Sequence, residues 1–437
     1  MTDQSSLPSE QAADSVAATG VMRTPGFFPF LLARMATVFA VQVQAVVVAW
    51  QVYDITRDPM SLAYVGLAQF LPMLVLLVPA GDLIDRFNRK AILAISWVIE
   101  AVCSGVLLWL SLTQNHNVAW FYAVLVLFGC GRAFTGPALQ SILPQIVPRT
   151  QLAQAIATNS MLLRVSTIGG PILGGFLYKW GGGGLTYLVC VVCFLVGLLL
   201  LHFVPILYAD KPSAESIQDR ADGLWTRFGA GIRFIWSHPI ILGTISLDLF
   251  AVLLGGVIAL LPIYAHEVLH VGPDGLGLLR SAMGFGEIAA GAYLSRRPIN
   301  RNVGMVMFVA VAVFGVANLV FSLSTWFWLS FAALMVAGAA DMLSVYIRIS
   351  LINFATPDHM RGRVNAVNML FISSSNELGE FRAGTSAAAL GAVQAAVFGS
   401  VCTLAVVAAW MRLFRPLRTV SRFEEAAHFL RPPHHHS

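Results

Sequence analysis

Gly81-Asp82-Leu83-Ile84-Asp85-Arg86-Phe87-Asn88-Arg89-Lys90 lies between two apolar runs, Pro59–Ala80 and Ala91–Leu112. About 20 apolar residues suffice for a helix to cross a bilayer core, and a backbone buried in lipid must satisfy its own hydrogen bonds. Two spans joined by so short a charged stretch are expected to be antiparallel neighbours, with the decapeptide as a loop at one membrane face. Arg86, Arg89 and Lys90 place that face in the cytoplasm, where basic loop residues accumulate. Gly81 permits close backbone approach.

The rest of the chain repeats the pattern. Its 437 residues are 57% hydrophobic and 11% charged, with a mean hydropathy of +0.75. Soluble domains carry about 25% charged residues, so a soluble globule is excluded. Twelve apolar runs read as spans: 27–52, 60–80, 91–113, 118–139, 152–179, 184–207, 239–265, 274–294, 303–323, 326–349, 362–388 and 390–413. The expected fold is an all-α membrane protein of twelve transmembrane helices in two six-helix bundles. Its parts are a cytoplasmic tail 1–26, a bundle 27–207, a linker 208–237 with a surface helix from Trp225 to Trp236, a bundle 238–413 and a tail 414–437. With both termini in the cytoplasm, nineteen of the 27 basic residues fall on that side and only Arg57 and Lys179 on the other. That asymmetry sets the orientation, and it accounts for the net charge of +5 without invoking nucleic acid. The second half carries a degraded copy of the opening stretch, Gly291 to Pro298, which keeps the glycine and a basic pair. Two similar halves suggest rocking about a midplane site.

Cys103, Cys130, Cys190, Cys193 and Cys402 all fall in apolar runs and read as packing residues. The terminal His434, His435 and His436 read as a tail or a loose metal binder. His266-Glu267-Val268-Leu269-His270 matches H-E-x-x-H, in which two His on one helix face would hold zinc with Glu as base. It sits where the seventh span ends, before Gly272-Pro273, so the helix carrying that face is expected to stop there.

Charged residues inside spans are costly unless paired or wet, and so point to function. The first half holds Arg34, Arg132, Arg164 and Glu100; the second holds Asp248, Arg280, Glu287, Asp341, Arg348, Glu377, Glu380 and Arg382. Asp341 and Arg348 share a face two turns apart, too far to bridge without another helix. Ser373, Asn376, Glu377, Glu380 and Gly384 line one face of the eleventh span. The arginines suit an anionic group, because a guanidinium binds carboxylate or catecholate oxygens as a fork. Buried carboxylates suit proton exchange.

The opening decapeptide resembles the signature loop of the major facilitator superfamily, Gly-x-x-x-Asp-Arg-x-x-Arg-Lys between helices 2 and 3. Gly81, Asp85, Arg86, Arg89 and Lys90 match, and Asn88 stands where a glycine is usual. Gly170, Pro171, Gly174 and Gly175 resemble the end of the helix-5 motif of the superfamily's antiporters, without its upstream glycines; they read equally as a packing seam. Tyr53-Asp54-Ile55-Thr56, Gln69-Phe70-Leu71-Pro72, Gly131-Arg132-Ala133-Phe134, Arg361-Gly362-Arg363 and Asn376 to Gly384 narrow the likeness. They follow the branch of bacterial enterobactin (siderophore) exporters and related macrolide and multidrug efflux proteins, over about Phe27–Arg412.

The resemblance implies a proton-coupled inner-membrane exporter working by alternating access, with helices 1, 4, 7 and 10 lining the cavity. Expected substrate contacts are Arg34, Gln42, Gln44, Trp50, Arg132, Arg164, Asp248 and Arg348. Expected proton-coupling residues are Asp341, Glu377, Glu380 and Asp248. Gly81, Asp85, Arg86, Arg89, Lys90, Arg361 and Arg363 are expected to gate, with Asp85 holding the outward-open state through the start of the eleventh helix. The substrate reads as a siderophore-like amphipathic anion. Alternatives are a broad drug efflux pump, a lysophospholipid transporter and, in another class, a zinc hydrolase built on His266, Glu267 and His270. No Gly-x-x-x-x-Gly-Lys loop occurs, so ATP is not expected to drive the chain. No cofactor or resident metal is expected, and the partners are a small molecule, protons and lipid, with a monomer as the working unit.

Overall fold

The structure, a computed structural model, describes residues 20–207 and 224–428. The N-terminal stretch, most of the linker with Lys211 and Arg220, and the terminal histidines lie outside them. Among the described residues every regular element is helical: α1 (Phe27–Thr56), α2 (Pro59–Arg86), α3 (Arg89–Leu112), α4 (Val118–Ile146), α5 (Leu152–His202), α6 (Leu224–Ser237), α7 (Pro239–Gly255), α8 (Pro273–Arg296), α9 (Val303–Leu323), α10 (Phe327–Ala355), α11 (Asp358–Leu390) and α12 (Ala392–Leu413), with short turns between and after them.

Nine of the described helical stretches are long and apolar enough to cross a membrane. One of them, α5, has 51 residues, about 76 Å if straight, more than twice a hydrocarbon core of about 30 Å. It breaks at Gly182, whose φ of 63° lies in the left-handed region that glycine enters without a Cβ clash. It therefore serves as the fifth and sixth spans together. Helices α8 and α11 are 24 and 33 residues long but more polar. With them the helices match the twelve runs of the sequence.

The decapeptide is not the loop its charges suggest. Helix α2 continues through Gly81 to Arg86, held by an i,i+4 bond from Arg86 Nε to Asp82 Oδ1 at 2.9 Å, and only Phe87 and Asn88 separate it from α3. Asn88 caps α3, its side chain accepting from the backbone N–H of Lys90 and Ala91, the task for which a short polar side chain is suited. Lys90 Nζ donates to the carbonyls of His202 and Val204 at 3.1 and 2.7 Å, placing a cation on the carbonyl end of α5. Arg89 reaches the Ser141 carbonyl of α4 at 3.1 Å. The basic cluster thus ties three helix ends together.

The chain divides into two compact units. The first comprises residues 1–45, 68–170 and 180–212; the second comprises 46–67, 171–179 and 213–437. Within the first, Phe27, Phe30, Trp97, Leu139 and Ile142 pack as a buried cluster. Within the second, α8 and α10 cross at glycines. A Cβ on Gly286 would lie 1.8 Å from the Met335 carbonyl oxygen, and one on Gly338 2.0 Å from that of Met283. Packing of small residues, not hydrophobic contrast with lipid, holds such helices together. The linker helix α6 docks on the same unit through Ile235, with Gly231 against the Arg363 carbonyl.

His238, between α6 and α7, is fully buried. Burial pushes its imidazole below its ordinary 6.5, partly offset by the Ala426 backbone. Between the folded value and 6.5 the unfolded chain holds a proton that the folded one lacks, so stability is full above 6.5 and declines as pH falls. His238→Gln is expected to flatten the acid side of a stability-against-pH curve for the purified protein. An unchanged slope would show that His238 is not its source.

Candidate functional site

In the first unit, the polar groups on the spans come from α1, α3, α4 and α5. Arg34 is half-buried, and its Nε has no hydrogen-bond partner. Gln42 donates to the Thr167 carbonyl at 3.4 Å, beside Gly170, where a Cβ would come within 2.6 Å of the Gln42 Cβ. Gln44 is 2% exposed; its Oε1 accepts from Ser104 Oγ at 2.6 Å, and its Nε2 is unpartnered. Arg132 is half-buried within electrostatic reach of Glu100, and Arg164 is exposed on the surface of the protein. Glu100 is 1% exposed, with Oε1 accepting from Thr135 Oγ1 at 2.8 Å and Oε2 unpartnered.

In the second unit, Asp248 of α7 and Arg348 of α10 form an ion pair at 6% and 3% exposure. Asp341, two turns before Arg348, lines a small pocket with Asp248, Ala251, Val252, Val311, Phe314, Ala340 and Ser344, with room for about one water. Helix α7 is the other helix that the seven-residue spacing of Asp341 and Arg348 calls for. Arg382 has a different task. It donates to the carbonyls of Leu253 and Gly256 at 3.2 and 3.3 Å, where α7 ends and its last carbonyls lose their intrahelical partners. On the polar face of α11, Glu380 lies beside Gly66, and Gly384 meets Ala63. Glu377 is half-buried on the same helix.

A second polar cluster in this unit joins the end of α1, the stretch of α5 just before its break at Gly182 and the start of α8 to the turn after α7. Tyr53 donates to Glu267, Arg57 pairs with Asp54 and lies against the His266 ring, and Lys179 pairs with Asp274 at 2.7 Å. Trp50 stacks obliquely on His266 at 5.7 Å. Beside it, Gly175 and Gly277 bring α5 and the start of α8 into close contact. Their added Cβ atoms would each fall 2.3 Å from a carbonyl, that of Pro273 and that of Pro171. The H-E-x-x-H stretch is taken up here. Tyr264–Val268 forms a wide π turn, and His270 has a φ of 50°, so its two histidines do not share an α-helical face. Among the described residues no group of three or more His, Cys, Asp or Glu is placed to hold a metal.

Of the other expected gating residues, Arg361 donates to the Asn353 carbonyl at 3.3 Å and Arg363 is half-buried. The side chain of Asp85 lies outside those described. Glu100 is the span charge to which the sequence reading gave no role of its own. Its signal was the i,i+4,i+8 stripe Ser96, Glu100, Ser104 on α3, all three buried.

Long apolar helices with ionisable groups buried among them define a multi-pass membrane transporter. Residues 18–435 match the model of a family described as transmembrane secretion effectors, and the chain belongs to that family, within the major facilitator superfamily. It is 26% identical over 351 residues to the enterobactin exporter EntS of Citrobacter koseri, covering 78% of this chain and 80% of that protein. It is 28% identical over 410 residues to the multidrug efflux pump Tap of Mycobacterium tuberculosis (strain H37Rv), covering 87% and 93%. In fold it is similar to a bacterial homologue of the human lysosomal transporter Spinster in its inward-facing, unoccupied form, with a TM-score of 0.68 at 16% identity, covering 92% of this chain and 96% of that one. These relatives are membrane transporters.

Proposed function

We propose that this transporter exports a siderophore-like, amphipathic anionic metabolite across the bacterial inner membrane in exchange for protons, by alternating access. The observation that carries this reading is Arg34, a guanidinium on a span with an unused donor, in a chain related to a siderophore exporter. A catecholate or carboxylate offers the paired oxygens such a fork accepts. Arg132 and Arg164 add positive charge, and Gln42, Gln44 and Trp50 add amide and indole groups. Asp248 and Arg348 join the site as a pair that opens when Asp248 takes up a proton, with Asp341, Glu377 and Glu380 as further proton acceptors.

The bundles 27–207 and 238–413 rock about this site, and residues 208–237 link them in the cytoplasm with both termini. The cluster at Tyr53 and Glu267 then faces outwards. Gly81, Asp85, Arg86, Arg89, Lys90, Arg361 and Arg363 gate the opposite side. Similarity to Tap favours a second reading, a broad-specificity drug efflux pump.

Profiling the medium of a deletion strain under iron limitation separates the two. The expected result is a fall in secreted catecholate that wild type restores and Arg34→Ala does not. An unchanged medium, with ethidium tolerance lost instead, would establish the drug pump.

A further inference from the structure

Glu100 is the buried carboxylate that the substrate reading leaves without a task. Among the described residues, Glu100 and Asp248 are the buried carboxylates, and Asp248 is neutralised by Arg348. Glu100 has only a hydroxyl on one oxygen, from Thr135, and nothing on the other. A carboxylate taken out of water with an oxygen unpaired costs several kcal/mol, whereas its protonated form costs far less. A site built this way is stable only if a proton can join it.

Its surroundings suit that exchange. On α3, Ser96 and Ser104 stand one turn to either side; Ser104 Oγ donates to the Glu100 carbonyl at 3.0 Å and to Gln44 Oε1 of α1. On α4, Gly131 leaves room for the carboxyl: a Cβ there would lie 3.2 Å from Glu100 Cγ. Thr135 follows one turn on, and Arg132 supplies a positive charge that acts on Glu100. Cys103 and Cys130, both unpaired thiols, are the other titratable groups close by. Thr135 and Arg132 are half-buried, so the carboxyl is one residue deep from a less buried edge.

We infer that Glu100 is a proton-binding site of the first unit, loading on Oε2 a proton drawn from water and returning it to water during each transport cycle. The cycle itself rests on the proposed proton exchange; the site does not. Loading forms an O–H bond at Oε2 while Oε1 keeps the Thr135 bond. Unloading leaves a carboxylate held by Thr135 and the field of Arg132.

Two measurements on the full-length protein test this. In the first, infrared difference spectra of purified protein are taken from about pH 5 to about pH 9. A carboxylic C=O band that titrates in wild type, persists in Glu100→Asp and vanishes in Glu100→Gln supports the site. A band unchanged in Glu100→Gln, or one that follows sodium at fixed pH, overturns it. In the second, enterobactin uptake into inverted vesicles is driven by a pH gradient. Wild type is expected to respond by about tenfold, within the usual range of coupling between sites, and Glu100→Gln to lose the response while binding enterobactin as before. A responsive wild type matched by Glu100→Gln defeats Glu100 as the coupling site. A wild type indifferent to the gradient defeats proton exchange itself, whatever the infrared band shows.

Discussion

Arg348→Met is expected to destabilise the protein by about 3–5 kcal/mol, the usual consequence of leaving one member of a buried ion pair alone. Asp248 would be left without its partner beside Ala251, Val252, Val311 and Phe314, with Asp341 lining the same pocket. A proton on Asp248 can take the place of the lost guanidinium charge, so the variant should recover part of the loss at acid pH. Adding Asp248→Asn should restore most of the stability, because a pair removed whole leaves no uncompensated charge. Unfolding of purified protein in a series of detergent mixtures would give both single variants, the double variant and the coupling between them. Equal, additive losses would show that the two side chains act independently and that the pair is not the organising contact of α7 and α10.

What the sequence revealed and what it hid follow from how each feature is encoded. The spans are local: each needs only an unbroken apolar run, so all twelve could be read, and the glycine at 182 was visible between two of them. The end of α2 was misread because charge was taken as loop. Asp82 and Arg86, four apart, bond along a helix instead of leaving it. The Asp248–Arg348 pair joins residues 100 positions apart, and no spacing rule connects them; the seven-residue step from Asp341 to Arg348 showed only that a third group was needed. The carboxyl of Glu100 meets Thr135 across α3 and α4, so its burial with an unpaired oxygen emerges only in three dimensions.

Arg57 and Lys179 show the reverse. Both stand out as the basic residues that the charge asymmetry predicts for the outer side, and both are paired, with Asp54 and Asp274. They belong to the cluster at which the end of α1, the break in α5 and the start of α8 meet. The apparent metal motif at His266 belongs there too.

That cluster carries the second large effect. Under alternating access, contacts that join the outer helix ends stabilise the outwardly closed state, and their loss shifts the population towards opening. The contacts are unequal. Lys179 and Asp274 are 54% and 21% exposed, and such a pair contributes about 1 kcal/mol or less. Tyr53 is buried and gives its hydroxyl to a carboxylate, a bond of about 1.5 kcal/mol at the lower end for a charged acceptor. Tyr53→Phe removes that bond and leaves the ring packed, so it should raise the open-to-closed ratio about tenfold. Lys179→Gln should raise it about fivefold at most. Spin labels at the exposed turn positions Asp58 and His270, in a variant without native cysteines, would read the change as a growing long-distance component. The shift should also weaken binding from the cytoplasmic side in proportion to the lost closed fraction. A distance distribution identical in Tyr53→Phe and wild type would mean that the glycine-mediated contacts at Gly175 and Gly277, not the polar cluster, hold these helix ends together.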